Sequence, residues 1–181
     1  MSSSTTSLEP ASDRVREWAL KLMYAQWLNP KSADAKAYVD DIQNYFSLDS
    51  QSWEALSPVS VYLPDLRLGH VQEDAWKRLA PEVEALLNGI RSNQAQIEEV
   101  IQEASPKWRL DRMPVVDRLL LYIGCFELVF AEVDPARRSI NRTVEMAKRY
   151  GEKDSRRFVN GILDEIHKRH HSKSTTNSEE A

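Results

Sequence analysis

The sequence predicts an all-α protein, on three observations. Apolar residues recur at helical spacing in one stretch after another, and the alternating β-branched runs that would mark strands do not occur. Only five glycines are present among 181 residues. Prolines, a glycine and capping residues stand at the ends of the periodic stretches, where helices start and stop. The length suits one domain with a sizeable core, or two small helical layers sharing one. A net charge of −4 argues against a surface that coats nucleic acid broadly, while leaving room for a local basic patch. The single cysteine, Cys125, excludes a disulfide framework and fits a reducing compartment. No stretch is long and apolar enough to span a bilayer, and the opening MSSSTTSLEP lacks the basic and apolar regions of a signal peptide, so a soluble cytoplasmic protein is expected.

Residues 1–11, rich in Ser and Thr, read as a flexible tail. Ser12 or Asp13 then caps a first helix that Pro30 ends. Its Val15, Ala19 and Leu22 face inward with Trp18 and Ala25 beside them, and Tyr24 projects about half a turn away. Arg14 and Arg16 place cations in a first turn, where the helix dipole disfavours them. Tyr24 is a candidate stacking ring, and Trp27 is expected to cover a second helical layer, as large aromatics are mostly buried. A second helix is expected over 33–46, followed by a long aperiodic segment, 47–70, punctuated by Ser57-Pro58, Leu63-Pro64 and Leu68-Gly69.

The spacing of Leu79, Val83, Leu86, Leu87 and Ile90 predicts a helix over 72–91 that Pro81 kinks or splits. Ile97, Val100 and Ile101 mark a shorter helix ended by Ser105-Pro106, and Trp108 to Pro114 forms a connector. From Val115 to Ala131 apolar residues wrap all round one helix, which is therefore central, with Glu127 buried and paired and Cys125 a core filler. The next helix starts at Asp134-Pro135, carries Ile140, Val144 and Ala147 inward with Arg142, Glu145 and Arg149 outward, and ends at Gly151 in a left-handed slot. Asp154 caps the last helix, whose Phe158, Val159, Ile162, Leu163 and Ile166 share a face. Arg156 and Arg157 sit in its first turn, against the dipole, which points to an anionic partner outside the chain. Residues 171–181 read as a second flexible tail, and the adjacent His170 and His171 point in different directions and make no metal shell.

Ile140-Asn141, Ala147-Lys148, Gly151, Asp154-Ser155 and the run Phe158-Val159-Asn160-Gly161-Ile162-Leu163-Asp164 resemble the C-terminal signature of the NusB family of bacterial transcription antitermination factors. The opening RVREWALKLMYAQW and the connector Trp108-Arg109-Leu110-Asp111-Arg112-Met113 are similar to further family segments. The resemblance implies one NusB-like bundle of about seven helices over 12–170, in an N-terminal half at 12–104 and a C-terminal half at 107–170. It also implies binding of boxA-type single-stranded RNA together with a small-subunit ribosomal protein, NusE, within the transcribing RNA polymerase complex. By position, Arg14, Arg16, Tyr24, Asp154, Arg157 and Phe158 match RNA-facing residues, Arg156 joins them through its charge, and Asp111 and Asp117 match acidic positions facing the ribosomal protein. Three departures from the family pattern stand at Asp13, Tyr122 and Arg142. No phosphate loop, metal cluster, catalytic triad or cofactor site is recognisable, so a binding module is expected and no enzyme. The alternative is a diverged interaction module without RNA, dimerising through Tyr24 and Trp27.

Overall fold

The computed structural model of the chain describes residues 11–28, 73–131 and 135–176. The helix expected over 33–46, the segment 47–70, residues 1–10 and 177–181 of the tails, and Asp134 lie outside the described residues, whereas residues 171–176, expected as tail, continue the last helix. Those described form six α-helices and no strand. They are α1 (Asp13–Leu28), α2 (Glu73–Ser92), α3 (Gln94–Ala104), α4 (Val115–Cys125), α5 (Ala136–Tyr150) and α6 (Ser155–Thr176), with a short 3-10 turn at Leu110–Arg112.

The chain divides into two compact units, one of Arg14–Asn88 and one that joins Asp13 to the residues from Gly89 onward. In the first unit, α1 buries Val15, Trp18, Ala19, Leu22 and Ala25, the stripe its spacing predicts. Helix α2 runs unbroken through Pro81, which is exposed, and buries Val83, Leu86 and Leu87 on one side. A proline in a helix interior removes one hydrogen bond and crowds the preceding turn; here the buried stripe keeps the helix whole.

In the second unit α4 is the centre. It packs on α5 and α6, which also pack on each other, while α3 lies against α4 and α6. Its seven residues from Leu119 to Cys125 are all buried, which only a helix covered on every side allows. Ile97, Ile101, Leu120, Ile123, Val159, Leu163 and Ile166 form the core between these helices. Each such side chain contributes about 1.5–3 kcal/mol by leaving water, so the apolar stripes rather than helix propensity hold the bundle. Cys125 is among them as a core filler, and burial pushes its thiol pKa up to about 12.

Two backbone details depart from the expectation. The helix expected to run evenly to Ala131 changes at Phe126 to a π-turn over Phe126–Phe130, closed by Ala131 N–H donating to the Phe126 carbonyl at 3.0 Å. The wider turn stacks the Phe126 and Phe130 rings with centroids 6.3 Å apart. Glu127, in the same turn, is 1 % exposed and accepts a 2.5 Å hydrogen bond from the Ser139 hydroxyl near the start of α5. Gly151 is not left-handed: its φ of −91° and ψ of −175° are extended backbone.

Candidate nucleic-acid interface

The turn between α5 and α6 sets where the last helix begins. Ser155 is buried there, and its Oγ accepts the Glu152 backbone N–H at 2.7 Å, while the Ser155 N–H donates to the Glu152 carbonyl at 3.1 Å. The Ser155 hydroxyl donates in turn to Asp117 in the first turn of α4. Gly151 is required by close approach rather than by a left-handed backbone, since a Cβ there would sit 2.5 Å from the Ser155 Cβ and 2.7 Å from the Ala147 carbonyl oxygen. Ser155, and not the Asp154 carboxylate expected as the cap, therefore makes the hydrogen bonds that fix this end.

With Ser155 pinned inward, the following residues are presented outward. Arg156 and Arg157 are exposed, Asp154 is exposed, and Phe158 is half-buried. No acidic residue shares the first turn of α6, so the two guanidiniums stand at the positive end of a 22-residue helix, just after the exposed Glu152 and Asp154. Neither arginine makes an ion pair among the described residues. Phe158 meets the ring of Trp108 edge to face, centroids 5.4 Å apart and planes at 77°.

The opening helix gives a mixed outcome. Arg14 is exposed and Tyr24 half-buried, with its ring centroid 5.9 Å from that of Trp27 at a 32° tilt. Arg16, expected to face RNA, is fully buried, so its guanidinium belongs to the interior. Trp27, expected to be covered, is 48 % exposed. These residues from Arg14 onward fall in the first unit and Asp154 to Phe158 in the second, so the structure groups the candidates in two sets.

The acidic positions divide in the same way. Asp111 is exposed, and its carboxylate takes two parallel hydrogen bonds from Arg109, Nε to Oδ1 at 3.0 Å and Nη2 to Oδ2 at 2.8 Å. That hydrogen-bonded guanidinium holds the Asp111 carboxyl below its usual pKa. Asp117, expected to face a protein partner, is 3 % exposed and turned inward. Burial raises its pKa, the Ser155 hydrogen bond opposes that, and the Glu152 charge adds to it. Its Oδ1 is buried and takes no hydrogen bond among the described residues. Asp117 is thus a strut under the α5–α6 turn rather than a surface contact.

Sequence reasoning missed three participants. Trp108 was read only as part of a connector. Arg142, expected to face away, is half-buried; its Nε lies 3.3 Å from Asp13 Oδ1 and its Nη1 donates to the Ala11 carbonyl at 3.1 Å, tying the stretch before α1 to α5. Tyr122 donates from its hydroxyl to Glu98 Oε1 at 2.7 Å, bridging α4 to α3. Among the described residues no three His, Cys, Asp or Glu side chains cluster as a metal would need, and no helix is long and apolar enough to cross a membrane.

Known proteins share the family signature and the fold. The family model described as "NusB family" matches residues 62–168. A transcription antitermination protein NusB from Anaeromyxobacter dehalogenans is 32 % identical over 154 residues, covering 84 % of this chain and 87 % of that protein. Against other relatives of the same name the aligned stretch spans from 58 % to 72 % of the relative's length. Among solved structures, NusB of Thermotoga maritima superposes with a TM-score of 0.60 at 26 % identity, covering 90 % of this chain and 94 % of that one. A crystal structure of antitermination factors NusB and NusE with double-stranded RNA shares the fold, with a TM-score of 0.60 at 18 % identity over 86 % of this chain and 95 % of that one.

Proposed function

The chain belongs to the NusB family, and from that premise we propose that it is a transcription antitermination factor that binds boxA-type single-stranded RNA together with the ribosomal protein NusE. It works as a binding factor and not as a catalyst, in the cytoplasm, within the transcribing RNA polymerase complex. The observation that carries the reading is the start of α6: Arg156 and Arg157 exposed and without ion pairs among the described residues, next to the Phe158 ring, in a first turn that lacks any acid. Single-stranded RNA is held by cations on its phosphates and by rings on its splayed bases, and that turn offers both. A structure of the same fold, NusB with NusE and double-stranded RNA, supports RNA and the ribosomal protein as the two ligand classes. Arg14 and Tyr24 on α1, in the other unit, and Asp154 just before α6 are the further RNA-facing candidates, and exposed Asp111 is the acidic position left to the ribosomal protein.

The test is an anisotropy titration of a labelled boxA-like RNA across salt, with NusE present. Arg157→Ala is expected to weaken binding and reduce the slope of log K against log salt by about 0.7, the single-strand value for one phosphate contact. Tyr24→Ala is expected to lose roughly 5- to 150-fold in affinity with the slope kept, as for one stacked base worth about 1–3 kcal/mol. A slope that is flat for the unmodified protein would remove the RNA reading. The second reading is a homodimer through Tyr24 and Trp27, favoured by the 48 % exposure of Trp27; sedimentation across a dilution series distinguishes it.

A further inference from the structure

We infer that Trp108 is a base-stacking residue, forming with Phe158 a two-ring platform for an unpaired nucleobase of RNA. The inference rests on the RNA reading above and adds to it a residue on a different segment of the chain.

Trp108 is 55 % exposed, the most open of the large apolar side chains described. Large aromatics are highly buried on average, and here the open indole does not stand singly but pairs with the half-buried Phe158 ring as one aromatic surface. The exposure is not that of a floppy loop tip, because the backbone is held from both sides. The Trp108 N–H donates to the Ser105 carbonyl at 2.9 Å, and the Trp108 carbonyl accepts from Gln102 Nε2 at 3.0 Å. Gln102 also reaches the Ser105 carbonyl at 3.3 Å, and the Ser105 hydroxyl is anchored on the Ile101 carbonyl at 2.7 Å. A ring fixed in place before its ligand arrives loses less freedom on binding. Its edge-to-face contact with Phe158 occupies one edge or face and leaves the rest of the indole open.

Charge selects the occupant. The contact between Trp108 and Phe158 brings the segments 107–112 and 152–158 together, and these carry six exposed cations against three exposed carboxylates in a chain whose net charge is −4. Arg109 is engaged by Asp111, but Lys107, Arg112, Lys153, Arg156 and Arg157 make no ion pair among the described residues. An open ring pair inside a net basic field suits a polyanion whose units have flat faces, which is single-stranded nucleic acid and not an apolar peptide.

Trp108→Leu keeps apolar bulk and removes the π-face; Trp108→Tyr keeps a face. With labelled boxA-like RNA and NusE present, Trp108→Leu is expected to bind about 5- to 100-fold more weakly with the salt slope unchanged, and Trp108→Tyr to recover most of the loss. Melting temperatures of both variants should match the parent, since an exposed ring holds little of the core. Parent-like RNA affinity for Trp108→Leu, in a series where Arg157→Ala does lose affinity, overturns this inference and leaves the RNA reading standing. Unchanged RNA affinity with lost NusE capture overturns it in favour of a protein contact. An unmodified protein that ignores RNA at every salt concentration overturns both.

Discussion

Asp117 is the residue whose chemistry departs furthest from its surface expectation. Its carboxyl is buried at 3 % exposure, one oxygen takes the Ser155 hydroxyl, and the other takes no hydrogen bond among the described residues. A carboxyl whose folded pKa is raised binds more protons folded than unfolded between the two pKa values. Stability from this group is therefore full below the ordinary carboxylate value of about 3.9 and declines as pH climbs through the raised one. Asp117→Asn keeps an acceptor for Ser155 and removes the buried charge. It is expected to raise the melting temperature near pH 7 by roughly 2–4 °C, the equivalent of about 1 kcal/mol, with the gap closing as pH falls to about 4. Melts of parent and variant followed by circular dichroism across that range check both the sign and the convergence. At this scale the sequence announced Arg156, Arg157 and Phe158, because they are neighbours in one turn and their charge conflicts with the dipole. It gave no warning that Arg16 is buried, since it lies beside Val15 on a mixed flank and no local period distinguishes a guanidinium that goes in from one that stays out.

Among the elements, the helices were legible wherever an apolar stripe at 3.6 spacing met a stop residue, as in α3 ending before Ser105-Pro106 and α5 before Gly151. The π-turn at Phe126 and the extended Gly151 were not, because both are chosen by packing rather than by the chain's own preferences. The Trp108–Phe158 contact was hidden for a related reason: it joins segments far apart in sequence, and no pattern within either predicts the meeting. Gly89 illustrates packing overriding propensity. Alanine in a helix interior is favoured over glycine by about 1 kcal/mol, yet a Cβ at Gly89 would run into the Phe126 ring. That ring is only 4 % exposed and has nowhere to swing, so overpacking of about 1–3 kcal/mol outweighs the gain. Gly89→Ala is expected to destabilise the protein on balance, read as a lower urea midpoint with an unchanged m-value.

For the molecule as a whole, a charge of −4 bears on the RNA binding proposed above. The basic field at 107–112 and 152–158 is local, and the acidic remainder opposes a phosphate backbone at distances within the screening length of about 8–10 Å. Affinity for boxA RNA alone is expected to be weak and to rise by at least tenfold when a basic ribosomal protein is added at moderate salt. Titrations with and without NusE measure this, and equal affinities would contradict it. The family assignment and the helical class were readable from signature residues spread along the chain, whereas the unit boundary between Asn88 and Gly89 came only with the coordinates. The sealed position of Cys125 supplies a reporter for the larger unit. A thiol pushed up to about 12 in the buried last turn of α4 is protonated and shielded at neutral pH, so an alkylating reagent reacts only when the helices around it come apart. The labelling rate of the chain's single sulfhydryl thus clocks the opening of that core, and any ligand that binds the closed form will slow it.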